Sequence, residues 1–431
     1  MIRAEGITKI FGPDGQSILP LLEQGMTKDE IQAETGHVVG VRDANFEIEA
    51  GEVFCIMGLS GSGKSTLIRC INRLIEPTAG RIFLNDGESG EREITAMDDG
   101  ELRELRKRDM SMVFQHFALF PHRTVLANTV YGLEIQRRNA EESLQIGRRV
   151  LDMVGLGGWE ESYPHELSGG MQQRVGLARA LATEARVLLM DEPFSALDPL
   201  IKVNMQQELV RIQKDLERTI LFITHDLDEA MRIGDQIAIM DAGEVVQIGN
   251  PEEILINPKT EYVANFVEHA DPTGVLTAGT IALRFDEDQF KRVDDSGDLI
   301  YYVRRSDPEG ARFGVDRDQR LRAVVPAGHR ESVELVGLDD IAERAADETS
   351  DGGRRDDLAL RCDEQAVLRT VLKGRSCSTV PTVVTDADGR LLGIIDEPEL
   401  IRGILDKKGH GEQADSNGAG VEPASGGESK P

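Results

Sequence analysis

Residues 52–75 read EVFCIMGLSGSGKSTLIRCINRLI, and this stretch decides the fold of the first part of the chain. The unbroken apolar run at its start suits a central strand buried on both faces, where a half-exposed strand would alternate. From Gly58 to Ser65 the residues match G-x-x-x-x-G-K-[ST], and LIRCINRLI behind them has helical spacing. Strand, glycine-rich turn and helix in that order make a phosphate site. The glycines let backbone N–H groups converge on phosphate oxygens, and the helix N-terminus adds its positive end. Gly58, Leu59, Ser60, Gly61, Ser62, Gly63, Lys64, Ser65 and Thr66 are the expected nucleotide-binding residues. Lys64 is suited to reach the β- and γ-phosphates, and Ser65 to hold Mg²⁺.

Further apolar runs, RVLLMD (186–191) and TILFITH (219–225), alternate with helical segments through residues 1–270. That alternation predicts an α/β domain with a mostly parallel sheet. IAIMDAGEVVQIG (237–249) predicts a hairpin turning at Asp241 to Gly243. Asp191 ends an apolar run, where a carboxylate can coordinate Mg²⁺. The adjacent Glu192 can then polarise the attacking water as general base. Upstream, LSGGMQQR (167–174) leads into the amphipathic RVGLARALA, so Ser168, Gly169 and Gly170 form a second glycine-rich helix start.

LSGGMQQR resembles the signature of ATP-binding-cassette (ABC) proteins. The resemblance implies a P-loop NTPase cassette with a helical signature subdomain. It also implies that Ser168 to Gly170 cap the ATP bound by the opposite subunit, giving a head-to-tail homodimer with two ATPs at its interface. Gln115 in SMVFQHFALFPH matches the family's loop glutamine, which senses Mg²⁺ and water and links the site to the membrane partner. Ser195-Ala196-Leu197-Asp198 matches the loop that crosses the dimer interface, and His225 matches the switch histidine that contacts the γ-phosphate. Phe11 stands where the family stacks an aromatic on adenine.

The stretch 12–40 interrupts the early strands with two short helical patterns, LPLLEQG and TKDEIQAET. Together with MVFQHFALFPHRTVLANT and ITHDLDEAMRIGDQIAIMDAGEVVQIG, this insertion is similar to the ATPases of glycine betaine/proline betaine importers over residues 1–268. The implied partners are a separate permease gripped near His116–Asn128 and, indirectly, a substrate-binding protein. The implied location is peripheral, on the cytoplasmic face of the membrane. Another amino acid or quaternary amine as cargo, and a permease-independent ABC ATPase, remain alternatives.

No run of about 18 apolar residues occurs and the start has no signal-peptide pattern, which predicts a cytosolic chain. Acids outnumber bases by 77 to 49, and the formal charge of −28 is spread over both parts of the chain. So acidic a surface disfavours nucleic acid and anionic lipid, and fits a high-salt cytoplasm such as a halophile's. Cys55, Cys70, Cys362 and Cys377 lack C-x-x-C spacing and read as reduced and inert.

Residues 273–405 carry no phosphate motif. In the latter half CDEQAVLRTVLKG reads as helical, TVPTVVTDADGRLLGII as a hairpin and PELIRGILDKK as helical. Residues 350–405 resemble a CBS module, which implies a smaller α+β regulatory domain. LIYYVRRSDPEG and RLRAVVPAG suggest a diverged first copy. Asp396 and Glu399 depart from the Ser/Thr and Asp that commonly touch a bound nucleotide in such modules. Residues 406–431, poor in apolar anchors, read as a disordered tail.

Overall fold

Strands β3 (Val53–Met57), β7 (Val187–Asp191) and β8 (Thr219–Ile223) are buried at every position, as continuous apolar runs require. The computed structural model describes residues 1–85, 90–114, 118–195, 197–296, 298–338, 355, 358–375 and 377–405. The chain divides into two units, Met1–Ala270 and Asp271–Pro431.

In the first unit a four-stranded antiparallel sheet runs β2-β1-β4-β5, from β1 (Ile2–Phe11), β2 (Val38–Ile48), β4 (Ala79–Asn85) and β5 (Glu91–Glu93). A six-stranded sheet runs β10-β9-β3-β8-β7-β6, adding β6 (Met110–Val113), β9 (Gln236–Asp241) and β10 (Glu244–Gly249). It is parallel from β9 to β6, and only the β9–β10 hairpin is antiparallel. Ala242 and Gly243 take positive φ at the hairpin turn, which matches the twist of the flanking strands. Ile2, Ile48, Phe54, Ile56, Leu67, Ile71 and Leu189 belong to one core that packs both sheets and the phosphate-loop helix (Lys64–Ile71) together.

The parallel topology places the site. Adjacent strands β3, β8 and β7 end at the phosphate loop, at His225 and at Asp191-Glu192, so three motifs distant in sequence share one sheet edge. Ligands of open α/β sheets bind at these carboxyl ends. The helical part contains Val125–Thr129, Tyr131–Ile135, Ala140–Met153 and the signature helix Gly169–Ala182.

The 12–40 insertion folds as a lobe with its own small core. Ile18, Leu22 and Ile31 pack against Ile10 of β1 and Val39 of β2. Its second helix (Lys28–Thr35) is fixed by a reciprocal cap between Thr27 and Glu30 and stopped by the left-handed Gly36. The lobe thereby closes the end of the β1–β2 ladder, where Phe11 pairs with Val38.

The second unit contains an antiparallel sheet of β12 (Phe290–Ser296), β13 (Leu299–Arg304), β14 (Arg312–Val315) and β15 (Leu321–Val325). A five-stranded sheet is ordered β11-β19-β18-β17-β16: β11 (Leu283–Arg284), β16 (Glu334–Gly337), β17 (Leu358–Asp363), β18 (Thr382–Thr385) and β19 (Leu391–Ile395). The turns of the β14–β15 and β18–β19 hairpins repeat each other bond for bond. Asp316 Oδ1 accepts from the N–H groups of Asp318 and Arg320, as Asp386 Oδ1 does from Asp388 and Arg390. The two turns face each other: Leu321 N–H donates to the Gly389 carbonyl and Leu391 N–H to the Gln319 carbonyl. The halves diverge ahead of the hairpin. A helix (Leu368–Arg375) separates β17 from β18, whereas β13 runs through 305–311 directly into antiparallel β14.

One expectation in this unit is corrected. Cys362 and Asp363, read as helical, end β17 in parallel register with Val384 and Thr385. The Asp363 carboxylate then accepts from the Gln365 N–H, forming a turn, and the helix starts only at Leu368. The tail at 406–431 lies outside the described residues.

Candidate nucleotide site

The phosphate loop is built from backbone that only glycine adopts freely. Gly58, Gly61 and Gly63 all have positive φ, and a Cβ on Gly58 or Gly63 would fall 2.1 or 2.2 Å from the carbonyl oxygen of Met240 or Gly40. Lys64, the first residue of the helix, curls back into this loop. Its Nζ donates to the Gly58 and Leu59 carbonyls at 2.8 and 2.9 Å. Burial lowers its pKa, while Glu192 and Asp191 oppose the shift.

Asp191 is fully buried at the end of β7, and its two oxygens take different partners. Ser65 Oγ donates to Oδ1 at 2.8 Å, and Arg69 Nη2 donates to Oδ2 at 3.1 Å. Arg69 is one helical turn beyond Ser65, so both reach the same carboxylate from one helix face. Glu192 follows in a left-handed conformation (φ 49°), a strained backbone typical of functional positions. That conformation is held by its N–H donating to the Ile223 carbonyl, and its own carbonyl accepts from Gln173 of the signature helix. Glu192 Oε1 lies 3.4 Å from Nδ1 of His225, which is largely exposed.

A cleft of about 700 Å³ gathers most of the expected residues. Phe11, Gly58, Leu59, Ser60, Gly61, Gly63, Lys64, Ser65, Thr66, Glu192 and His225 line it, with Lys28, Val38, Val39 and Gly40 beside them. Ser62 is buried beneath the loop, its hydroxyl 3.5 Å from Lys64 Nζ. Ser168, Gly169 and Gly170 do not line the cleft. Ser168 instead caps its own helix by accepting from the Met171 N–H, leaving the Gly169-Gly170 turn unused by this chain's pocket. Gln115, His116 and Ala196 lie outside the described residues. Within the expected permease-contact segment Asn128 is fully buried. Its side chain accepts from the Phe120 N–H and donates to the Phe120, Arg123 and Thr124 carbonyls, so it shapes the segment from inside.

The "ABC transporter" family model matches residues 41–195. The chain is 46% identical over 404 residues to the glycine betaine transport ATP-binding protein OpuAA of Bacillus subtilis, covering 94% of this chain and 90% of that protein. It is 44% identical to the glycine betaine/proline betaine transport system ATP-binding protein ProV of Escherichia coli, covering 95% and 98%. The chain belongs to the ATP-binding proteins of ABC transporters. The fold of its first unit is that of the ABC cassette. The solved dimeric cassette MJ0796 bound to ADP and Pi aligns with a TM-score of 0.50 at 30% identity, over 58% of this chain and 99% of that one. As an ABC ATPase it binds ATP and belongs among proteins that couple hydrolysis to transport.

Three polar groups that pattern reading missed support the ATPase site. Besides Arg69, these are Lys202 and Glu229. Lys202 Nζ lies 2.7 Å from Asp226 and 3.6 Å from Glu229, whose carboxylate also accepts from Thr224 Oγ1 and from Gln206 Nε2. Burial pushes the Glu229 carboxyl up, against the bonds from Thr224 and Gln206 and the charge of Lys202. The network ties the helix Pro199–Leu216 to the turn that carries His225. Lys202→Met is expected to lower kcat about 10-fold, near 1.4 kcal/mol of lost positioning, with KM for ATP changed less than about twofold. Lys202→Arg should restore most of the rate. Steady-state ATPase assays decide this, and a change confined to KM would refute the positioning role.

Proposed function

We propose that this chain is the ATP-hydrolysing subunit of an importer for glycine betaine, proline betaine or a related compatible solute. It acts as a homodimer on the cytoplasmic face of the membrane, driving a separate permease served by a substrate-binding protein. The observation that carries the dimer is the division of the site. One chain's cleft holds the adenine-side aromatic, phosphate loop, Glu192 and His225, yet omits Ser168 to Gly170. A second copy, arranged head to tail, can supply that helix start to the γ-phosphate. The solute assignment is supported by the 12–40 lobe and by relatives whose names state betaine transport over nearly their whole length.

The oxygen donors present fit Mg²⁺. It takes one or two protein oxygens with substrate phosphates, and Ser65 Oγ and Asp191 Oδ1 already lie together at the phosphate end. Bound there, Mg²⁺ would neutralise charge developing on the phosphates. Lys64 turns from its two carbonyls to the β- and γ-phosphates. Glu192 accepts the proton of the attacking water, and His225, fixed through Asp226 by Lys202, orients the γ-phosphate. Gln115 is proposed, by its motif, as the residue that senses metal and water.

The second unit is proposed as a regulatory module that works without bound nucleotide. Asp396 is held by Arg375 Nη2 at 2.8 Å, and the fully buried Glu399 by Arg304 Nη2 at 2.9 Å. Both positions where a CBS module would meet a ribose are thus engaged by the chain's own arginines.

Reconstitution with a permease and a binding protein tests the whole reading. Mg²⁺-dependent ATPase should rise with glycine betaine, fall to background with EDTA, and saturate at one ATP bound per chain by calorimetry. Stimulation by none of betaine, choline or carnitine would sink the solute class, and two ATPs per chain would sink the nucleotide-free regulator.

A further inference from the structure

The inserted lobe reaches the nucleotide cleft with one cation. Lys28, the first residue of the lobe's second helix, lines the cleft beside Val38 and Gly40. It is partly buried and has no hydrogen-bond or ion-pair partner among the described residues. That is notable in a chain where acids outnumber bases by 77 to 49. The helix positions that face Lys28 one turn on, Ile31 and Gln32, carry no acid, and Glu30 is committed to the Thr27 cap. A lysine kept clear of carboxylates and aimed into a phosphate-binding cleft has an anionic ligand as its natural partner.

The lobe also fixes which part of the ligand Lys28 meets. Phe11 and Val38 pair across the β1–β2 ladder and remain exposed, an apolar wall open to the cleft. Lys64, Glu192 and His225 mark the opposite, γ-phosphate end. Lys28 lines the cleft together with Phe11 and Val38, so the ammonium belongs to the end nearer the base.

We propose that Lys28 is an ATP-binding residue that holds the ribose and α-phosphate, so that the 12–40 lobe is a wall of the nucleotide site. This rests on the ATP-site reading above. The expected signature is a loss shared by di- and triphosphate, since both carry the α-phosphate.

Calorimetric titration of the full chain with ATP and with ADP tests it. Lys28→Gln should weaken both about five- to tenfold, the scale of one charge-assisted contact at a partly exposed site. Lys28→Arg should keep affinity within about twofold of wild type. Circular dichroism melts of the two variants confirm that the lobe is intact. Unchanged affinity in Lys28→Gln, or a loss confined to ATP, would overturn the proposal. Lys64→Ala serves as the control: if it loses nucleotide while Lys28→Gln does not, the site stands and only Lys28 falls. A wild-type chain that binds no nucleotide would overturn both.

Discussion

Glu192→Gln should bind ATP with near-normal affinity and hydrolyse it at least ~10²-fold more slowly, the low end for loss of a general base. Glutamine keeps the length and hydrogen-bonding shape of glutamate but cannot accept the proton of water. The left-handed backbone at 192 is set by contacts of main-chain atoms, to the Ile223 carbonyl and from Gln173, and these survive the change. Ground-state binding therefore persists while transition-state stabilisation is lost. With hydrolysis blocked, ATP should hold two copies together, raising the apparent mass in size-exclusion chromatography. Near-normal turnover in this variant would remove Glu192 from its assigned role. Normal binding without dimerisation would leave the base in place and refute the sandwich.

Much of this site was legible because its chemistry lies in contiguous motifs on strands that declare themselves. The runs VFCIM and VLLMD are too uniformly apolar to face water, and the parallel sheet they form brings Lys64 and Asp191 to one edge. Side-chain partners across long separations were not legible. Arg69 meets Asp191 across 122 positions, and Lys202 meets Asp226 from another helix. Nothing in the local periodicity of either helix marks these residues apart from solvated arginines and lysines. The 12–40 lobe was visible as two helices, but its role as a wall of the cleft depends on Ile18, Leu22 and Ile31 docking on β1 and β2, a tertiary contact. In the second unit TVPTVVTDADGRLLGII was legible as a hairpin and forms β18 and β19. The strand end at Cys362-Asp363 was misread because five helix-compatible residues follow it, and only pairing with β18 holds it extended.

Gly63→Ala is expected to abolish detectable ATP binding and to lower the melting temperature of the nucleotide-free chain, because two penalties fall on one residue. Its φ of +99° disfavours any side chain, and the added Cβ would sit 2.2 Å from the Gly40 carbonyl oxygen. Gly40 is backbone within β2, held by the pairing of Val39 and Val41 with β1 and by the Arg42 N–H bond to the Gly243 carbonyl, so relief requires moving either the strand or the loop. Moving the loop swings the N–H groups that must converge on phosphate. Displacement costs on the order of 3 kcal/mol, in the range of severe single substitutions. Gly61→Ala separates the two penalties. Gly61 also has positive φ (+82°), but its Cβ would meet nothing within 4 Å, so stability should fall by only about 1 kcal/mol. The contrast is read by thermal unfolding without nucleotide, followed by titration with ATP. Equal melting temperatures for the two variants would mean that the loop's approach to Gly40 is not a constraint. The phosphate cradle would then be shaped by torsion alone.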